Sequence, residues 1–338
     1  MGGLLTKVLV TGASGFIGLH CVVELLKLGY QVRGTVRSLQ RAEEVQEAVA
    51  EAGADLGQLD LVTTDLLKDD GWEEAVAGCR FVLHVASPFL LENPQHEDDL
   101  IKPAVDGTLR VMSACAKAKI EKLVLTSSVA AIQVGHVAKN DFDESDWSIT
   151  ENCPPYPKSK TLAERAAWDF IGRLPEQQKY SLTVLNPALV TGPMLSDDIG
   201  TSNELIFQMI SGGMPACPRL HMGVIDVRDV AKAHIHVMNE PSTDGMRIIM
   251  SQNELLFSSI GKVLRSEGFA KAPTHEIPTF FIKFLALFVS QLKGIRPSVG
   301  KVIRLNKKRA MEYLPWKFVS AEQSIKDTAK QLQLMKEL

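Results

Sequence analysis

The chain lacks paired cysteines, long apolar runs and an excess of positive charge, and each absence closes a class of function. Its five cysteines, Cys21, Cys79, Cys115, Cys153 and Cys217, are scattered without a C-x-x-C spacing. That argues against a disulfide frame or a thiolate zinc site, and they read as reduced thiols of a cytoplasmic protein. A formal net charge of −3 over 338 residues leaves no electrostatic footprint for nucleic acid. Residues 277–292 are apolar, but a bilayer span needs about 20 residues and this run holds Lys283, so it reads as a core or lid helix, with attachment at a membrane interface as the minor alternative. The first apolar run, Val8 to Val10, is too short for a secretory signal. Met1-Gly2-Gly3-Leu4-Leu5-Thr6 matches the myristoylation pattern in form, yet Thr6 abuts the first strand and leaves little free arm. His234 and His236 are two apart, which a helix would splay onto different faces, so no metal site is expected.

What is present begins at Lys7-Val8-Leu9-Val10-Thr11-Gly12-Ala13-Ser14-Gly15-Phe16-Ile17-Gly18. A β-branched run enters a glycine cluster and an apolar helical segment leaves it, the strand, turn and helix of a dinucleotide-binding unit. Gly12 serves the sharp turn, Gly15 leaves the helix N-terminus open to a pyrophosphate, and Gly18 lets the helix lie close on the sheet. Gly12, Ser14, Gly15, Phe16, Ile17 and Gly18 are therefore expected at the cofactor. Arg37 follows the second strand, where a carboxylate would bond the ribose of NAD and a cation would take the 2′-phosphate of NADP. A solvated surface arginine is the plain alternative, and NADP(H) is the expectation.

Beyond the glycines, strands at 31–36, 59–64, 81–86, 123–126 and 181–185 alternate with helices at 39–53, 72–77, 100–119 and 156–173. That order predicts an α/β protein with a Rossmann-type, doubly wound parallel sheet. Residues 1–190 would form the NADP-binding domain, with 224–240 returning to it, and 191–223 with 241–338 an interleaved substrate-binding region. Ligands bind at the carboxyl ends of strands in such sheets.

Tyr156-Pro157-Lys158-Ser159-Lys160 puts Tyr156 and Lys160 on one helix face. A phenol with a reference pKa near ~10 is a poor proton donor near neutrality unless its phenolate is stabilised. A lysine ammonium one turn away does that. Ser127-Ser128, at the fifth strand's tip, can offer a hydroxyl to a carbonyl oxygen. Ser128, Tyr156 and Lys160 thus make a candidate carbonyl-reduction site. Tyr313 and Lys317 share the spacing, but Pro315 between them would break a helix.

These stretches, with Thr126-Ser127-Ser128, Asn186-Pro187 and Asp226-Val227-Arg228-Asp229-Val230-Ala231, resemble an extended short-chain dehydrogenase/reductase almost end to end. Tyr156 to Glu164, read as Tyr-x-x-Ser-Lys-x-x-x-Glu, and Arg37 are similar to the dihydroflavonol reductase, cinnamoyl-CoA reductase and methylglyoxal reductase subgroup. The resemblance implies an NADPH-dependent reductase of an aldehyde or ketone in which Ser128 and Tyr156 polarise the carbonyl and Lys160 holds the ribose. It implies Asp65 and Leu66 at the adenine, and Ala86, flanked by Val85 and Ser87, near the ribose. The backbone from Pro187 to Val190 would meet the nicotinamide amide. It also implies that helices 100–119 and 156–173 are where a homodimer would pair. Asn152-Cys153-Pro154-Pro155 lacks the Asn-Trp-Tyr-Cys signature of cinnamoyl-CoA reductases, which argues against thioester reduction.

Two rival readings are a nucleotide-sugar epimerase/dehydratase or 3β-hydroxysteroid dehydrogenase, and a non-enzymatic NADP-sensing protein. The second has no need of Ser128, Tyr156 and Lys160 together. Substrate contacts are expected from irregular loops. Phe89, Gln133, His221 and Met222 are the candidates, with a plain loop role as the alternative for Gln133, His221 and Met222. His84, in an apolar strand, reads as a core histidine. Asp226, Arg228 and Asp229 read as a structural charge network.

Overall fold

The computed structural model describes residues 6–87, 96–286 and 295–336. The myristoylation pattern up to residue 5, Phe89, and residues 287–292 of the apolar run lie outside them. Seven parallel strands form the central sheet: β1 (Lys7–Thr11), β2 (Gln31–Val36), β3 (Leu59–Thr63), β4 (Phe81–His84), β5 (Lys122–Thr126), β6 (Ser181–Pro187) and β7 (Arg247–Met250). Their order is β7-β6-β5-β4-β1-β2-β3. The chain therefore winds outward from β1 in both directions, and the order reverses beside it, where ligands bind in open α/β sheets.

The alternation of side chains along β1 builds two cores at once. Val8 and Val10 pack with Val22 and Leu25 of α1 (Phe16–Lys27), Val45 and Val49 of α2 (Leu39–Glu51) and Val230 of the 227–239 helix. Leu9 faces the other way, into Trp72 of α3 (Trp72–Val76), Val111 and Met112 of α4 (Asp98–Ala118) and Ala167 of α5 (Pro155–Arg173). A third core joins α6 (Gly200–Ser211), the helix Phe257–Ser266 and the C-terminal helix Ala321–Lys336 through Ile206, Met209, Leu264 and Leu332.

The sequence reading has six sheet strands and leaves Arg247 to Met250 in the substrate-binding region. The structure makes that stretch the seventh strand, registered on β6 with Ile248 opposite Leu185. Four residues buried throughout carry no alternation to read. A separate three-stranded sheet follows β6, with Leu189–Thr191 parallel to His221–Asp226, and that strand antiparallel to Asn253–Leu256. It leads into α7 (Val227–Asn239), whose first turn holds the charge network. Asp226 takes the Arg228 backbone N–H at 2.8 Å and Arg228 reaches Asp327 at 2.7 Å. Asp229 accepts from the Trp316 indole at 2.9 Å. Cys21, Cys79, Cys115 and Cys217 are buried free thiols.

Candidate active site

Six strands bring the site residues of the first 190 positions to one edge. Gly12 follows β1 with φ +68°, and a Cβ there would come within 3.1 Å of Ala86. Only glycine takes that left-handed backbone and that contact without strain. A Cβ on Gly18 would reach 2.1 Å from the Gly12 carbonyl oxygen, so this position too admits glycine alone. Gly15 begins α1 with no side-chain cap. The first-turn N–H groups at Phe16, Ile17 and Gly18 have no acceptor within the helix, an arrangement that suits an anion.

Arg37, just past β2, is exposed and has no hydrogen-bond or ion-pair partner among the described residues. Its neighbour in sequence behaves oppositely. Arg41 donates to the Ser14 carbonyl at 2.9 Å and its hydroxyl at 3.2 Å, and pairs with Asp198 at 3.0 Å and with Glu44. Arg41 thereby ties the glycine turn to the loop before α6. Nothing local in the sequence links positions 41 and 198.

Asp65 and Leu66 follow β3, where the Asp65 carboxylate takes the Leu67 N–H at 2.9 Å and Leu66 is buried. Val85, Ala86 and Ser87 follow β4. The Thr11 hydroxyl accepts from the Ala86 N–H at 3.1 Å and meets His84 Nδ1 at 2.8 Å, which joins the tips of β1 and β4. Burial and the Lys160 charge push His84 down to about 3, so its ring is neutral beside the Thr11 hydroxyl. Pro187 ends β6 and Val190 lies in the next strand, both buried.

Lys160 donates to the Ser87 hydroxyl at 2.9 Å and lies 6.0 Å from the centre of the Tyr156 ring. Burial lowers Lys160 to about 8, while the Glu164 carboxylate one turn on pulls the other way. Tyr156 keeps 41% of its surface open, yet burial around its hydroxyl raises its pKa. A hydrogen bond from Ser128 acts in the opposite direction. Ser128 Oγ also takes the Ala130 N–H at 3.1 Å and faces the Pro187 carbonyl at 3.5 Å. Serine, phenol and ammonium are therefore brought together from β5 and α5.

Behind them stands a group the sequence reading quoted without a role. Glu164 is 1% exposed and pairs with Arg247, itself 7% exposed, at 2.5 Å. Its oxygens also accept from Ser127 at 2.5 Å, Asn186 at 2.8 Å and Trp168 at 3.3 Å. Asn186 bonds on to the Ser128 carbonyl at 3.2 Å. Arg247 donates to the Glu144 and Asp146 carbonyls at 2.9 and 2.6 Å and lies 3.8 Å above the Trp147 ring. One carboxylate thus locks α5 to the ends of β5 and β6, to the first residue of β7 and, through Arg247, to the acidic loop.

The substrate candidates are less tightly gathered. Gln133 Oε1 is buried without a hydrogen-bond partner among the described residues, a polar atom that a ligand donor would satisfy. His221 Nδ1 accepts from the Ile303 N–H at 3.0 Å, which leaves Nε2 carrying the proton. Met222 packs at the margin of the third core.

The model of the NAD dependent epimerase/dehydratase family matches residues 8–250. A bifunctional dihydroflavonol 4-reductase/flavanone 4-reductase of Malus domestica is 35% identical over 296 residues, covering 83% of this chain and 80% of that one. An anthocyanidin reductase of Vitis vinifera is 32% identical over 327 residues, 91% and 90% of the two chains. The crystal structure of yeast methylglyoxal/isovaleraldehyde reductase Gre2 complexed with NADPH superposes with a TM-score of 0.82 at 29% identity. It covers 98% of this chain and 99% of that one.

Proposed function

The chain belongs to the NAD dependent epimerase/dehydratase family as an NADP(H)-using oxidoreductase, and from that premise we propose that it reduces an apolar aldehyde or ketone to the alcohol through Ser128, Tyr156 and Lys160. The observation that carries this reading is the Ser128–Tyr156 hydrogen bond with the Lys160 ammonium against the same ring, beside an uncapped helix N-terminus. That N-terminus fits a pyrophosphate, and Arg37, exposed and unengaged, fits a 2′-phosphate. Asp65, Leu66, Val85, Ala86 and Ser87 would line the adenosine side, and Pro187 and Val190 the nicotinamide side. NADPH, when bound, supplies the hydride.

The chain's own residues handle the proton. Tyr156 donates its phenolic proton to the carbonyl oxygen as negative charge develops there. Ser128 gives that oxygen a second hydrogen bond. Lys160, at about 8, is mostly protonated at neutral pH, and its charge stabilises the phenolate that Tyr156 becomes. Gln133 and His221 Nε2 offer polar contacts beyond the reacting carbonyl.

Replacing Tyr156 by Phe tests the assignment. Turnover of carbonyls with NADPH should fall by at least about 10²-fold, the scale of a lost general acid, with NADPH affinity retained. Turnover near the parent level would overturn the role of Tyr156. The epimerase reading predicts instead that the protein purifies with tightly held NAD and ignores added NADPH.

A further inference from the structure

The helix Thr279–Leu285, α8 in the numbering below, is turned inside out relative to an ordinary surface helix. Ile282 and Ala286 face the core at 2% and 1% exposure. Phe280, Phe281 and Phe284 point outward at 75%, 46% and 56%. At about 100° per residue, positions 280, 281 and 284 fall on one side of the cylinder and 282 and 286 on the other. The sequence reading of a core or lid helix accounts for the inward pair and not for the three outward rings.

A neighbouring loop lies against the start of this helix. A Cβ on Gly300 would come 2.9 Å from Thr279, so residues 300–302 lie against the start of α8. There Val302 is 42% exposed, and Lys301 donates to the His136 carbonyl beside Val137, which is 84% exposed. Single exposed hydrophobes are ordinary, whereas several contiguous ones mark a contact surface.

Charge identifies the occupant. From residue 277 to residue 311 the chain has eight Lys or Arg and no Asp or Glu, in a protein whose net charge is −3, although Arg304 pairs with Asp141 and Lys307 with Glu254. Burial first, and the nearby Lys283 charge second, lower the Lys301 pKa, so two like charges share this rim. Lys283 and Arg296 have no ion-pair partner among the described residues. The nearest acid before the segment, Glu276, is already held by Ser258 at 2.6 Å and faces Arg219 at 3.9 Å. A second copy docked face to face would set these lysines against themselves. Aromatic rings flanked by lysines suit the boundary of headgroups and acyl chains. No helix among the described residues is long and apolar enough to cross a membrane.

We propose that the α8 face docks on the surface of an anionic phospholipid bilayer, with Phe280, Phe281 and Phe284 entering the headgroup boundary and Lys283 and Lys301 meeting the lipid charge. Docking does not depend on the reductase chemistry, so the two can fail separately. The full chain should co-sediment with vesicles of phosphatidylcholine and phosphatidylserine, and release at high salt. Phosphatidylcholine alone should bind it far less. Phe280→Ser with Phe281→Ser should weaken binding about tenfold or more, and Lys283→Glu roughly fivefold. Both variants should keep parent reduction of a water-soluble carbonyl. Absence of serine-lipid-dependent binding by the parent protein would overturn the proposal, as would equal binding by the variants. Concentration-dependent self-association lost in the phenylalanine variant, without vesicle binding, would assign the face to a second copy instead. Should the double variant fold poorly, the salt dependence and Lys283→Glu still decide.

Discussion

The strand tips of the first 190 residues and the loops beyond them both hold side chains over the same edge of the sheet, by opposite means. At the tips, a buried carboxylate with four partners fixes Ser127, Asn186, Trp168 and Arg247 at once. Beyond residue 190 fewer contacts do the holding: His221 takes the Ile303 N–H, and Asp198 takes Arg41 and the Gly200 N–H. A shared, water-free network fails as a unit, whereas a lone part-exposed contact can be lost with little consequence. The first arrangement suits chemistry that is the same for every substrate. The second suits a pocket whose shape differs with the substrate.

The largest break should come from Glu164. Glu164→Ala leaves the Arg247 guanidinium buried without its counter-charge, a loss of about 3–5 kcal/mol for a broken buried pair. Urea unfolding should show it, and a change under about 1 kcal/mol would mean that water or another acid takes over. Glu164→Gln keeps the shape and removes the charge that supports Lys160. Its folded pKa should then fall further below about 8, and the alkaline limb of the rate profile should move to lower pH. An unmoved limb would reduce Glu164 to a scaffold.

Lys160 sharpens the contrast within the tips, because function and stability oppose each other there. Its pKa is lowered in the folded protein, so the unfolded chain binds more protons between about 8 and the usual lysine value of 10.5. Stability lost to this buried charge is fully felt below pH 8 and is recovered as pH rises through that window. Lys160→Met should therefore lose about 10²-fold or more in turnover while melting higher than the parent at pH 7. The advantage should shrink toward pH 10. A variant that melts lower at pH 7 would show that the Ser87 hydrogen bond outweighs the burial cost.

Legibility in the sequence follows the same divide. Glycine spacing, the order of strands and helices, and the Tyr156–Lys160 pair are local patterns, and each could be read within a few residues. Glu164 could be quoted but not interpreted, because its partners come from positions 127, 186 and 247. Arg247 was hidden further, since its strand is four buried residues with no period. The outward phenylalanines of α8 ran against pattern. Hydrophobicity alone sends a ring inward, and only the packing of Ile282 and Ala286 shows which side faces out.

Arg37 tests whether an unengaged residue at a strand tip carries specificity. Charge-assisted hydrogen bonds contribute about 1.5–3 kcal/mol, so Arg37→Glu should weaken NADPH by roughly tenfold to a hundredfold and leave NADH nearly unchanged. Titration of the protein's fluorescence with each nucleotide reads this directly. Equal weakening of both would place the 2′-phosphate elsewhere.

The smallest effect is expected at one part-exposed contact among those that join the two regions. Arg41 holds Ser14 from one side and Asp198 from the other, with about a third of both side chains open to solvent. An ion pair of that kind is worth about 0–1 kcal/mol, so Asp198→Asn should leave the melting temperature within a degree or two. The Ser14 contacts survive the substitution, so the glycine turn keeps its shape and the affinity for nucleotide should change little. What loosens is the loop of residues 195–198 beside the turn, and NADPH should leave a few-fold faster in stopped-flow displacement, the scale of a lost exposed pair. Gly200 also packs on this turn, 3.0 Å from the Phe16 side chain as a Cβ would measure it. If the dissociation rate does not move, that packing rather than the Arg41–Asp198 bridge holds the loop, and turn and loop are joined there by shape instead of charge.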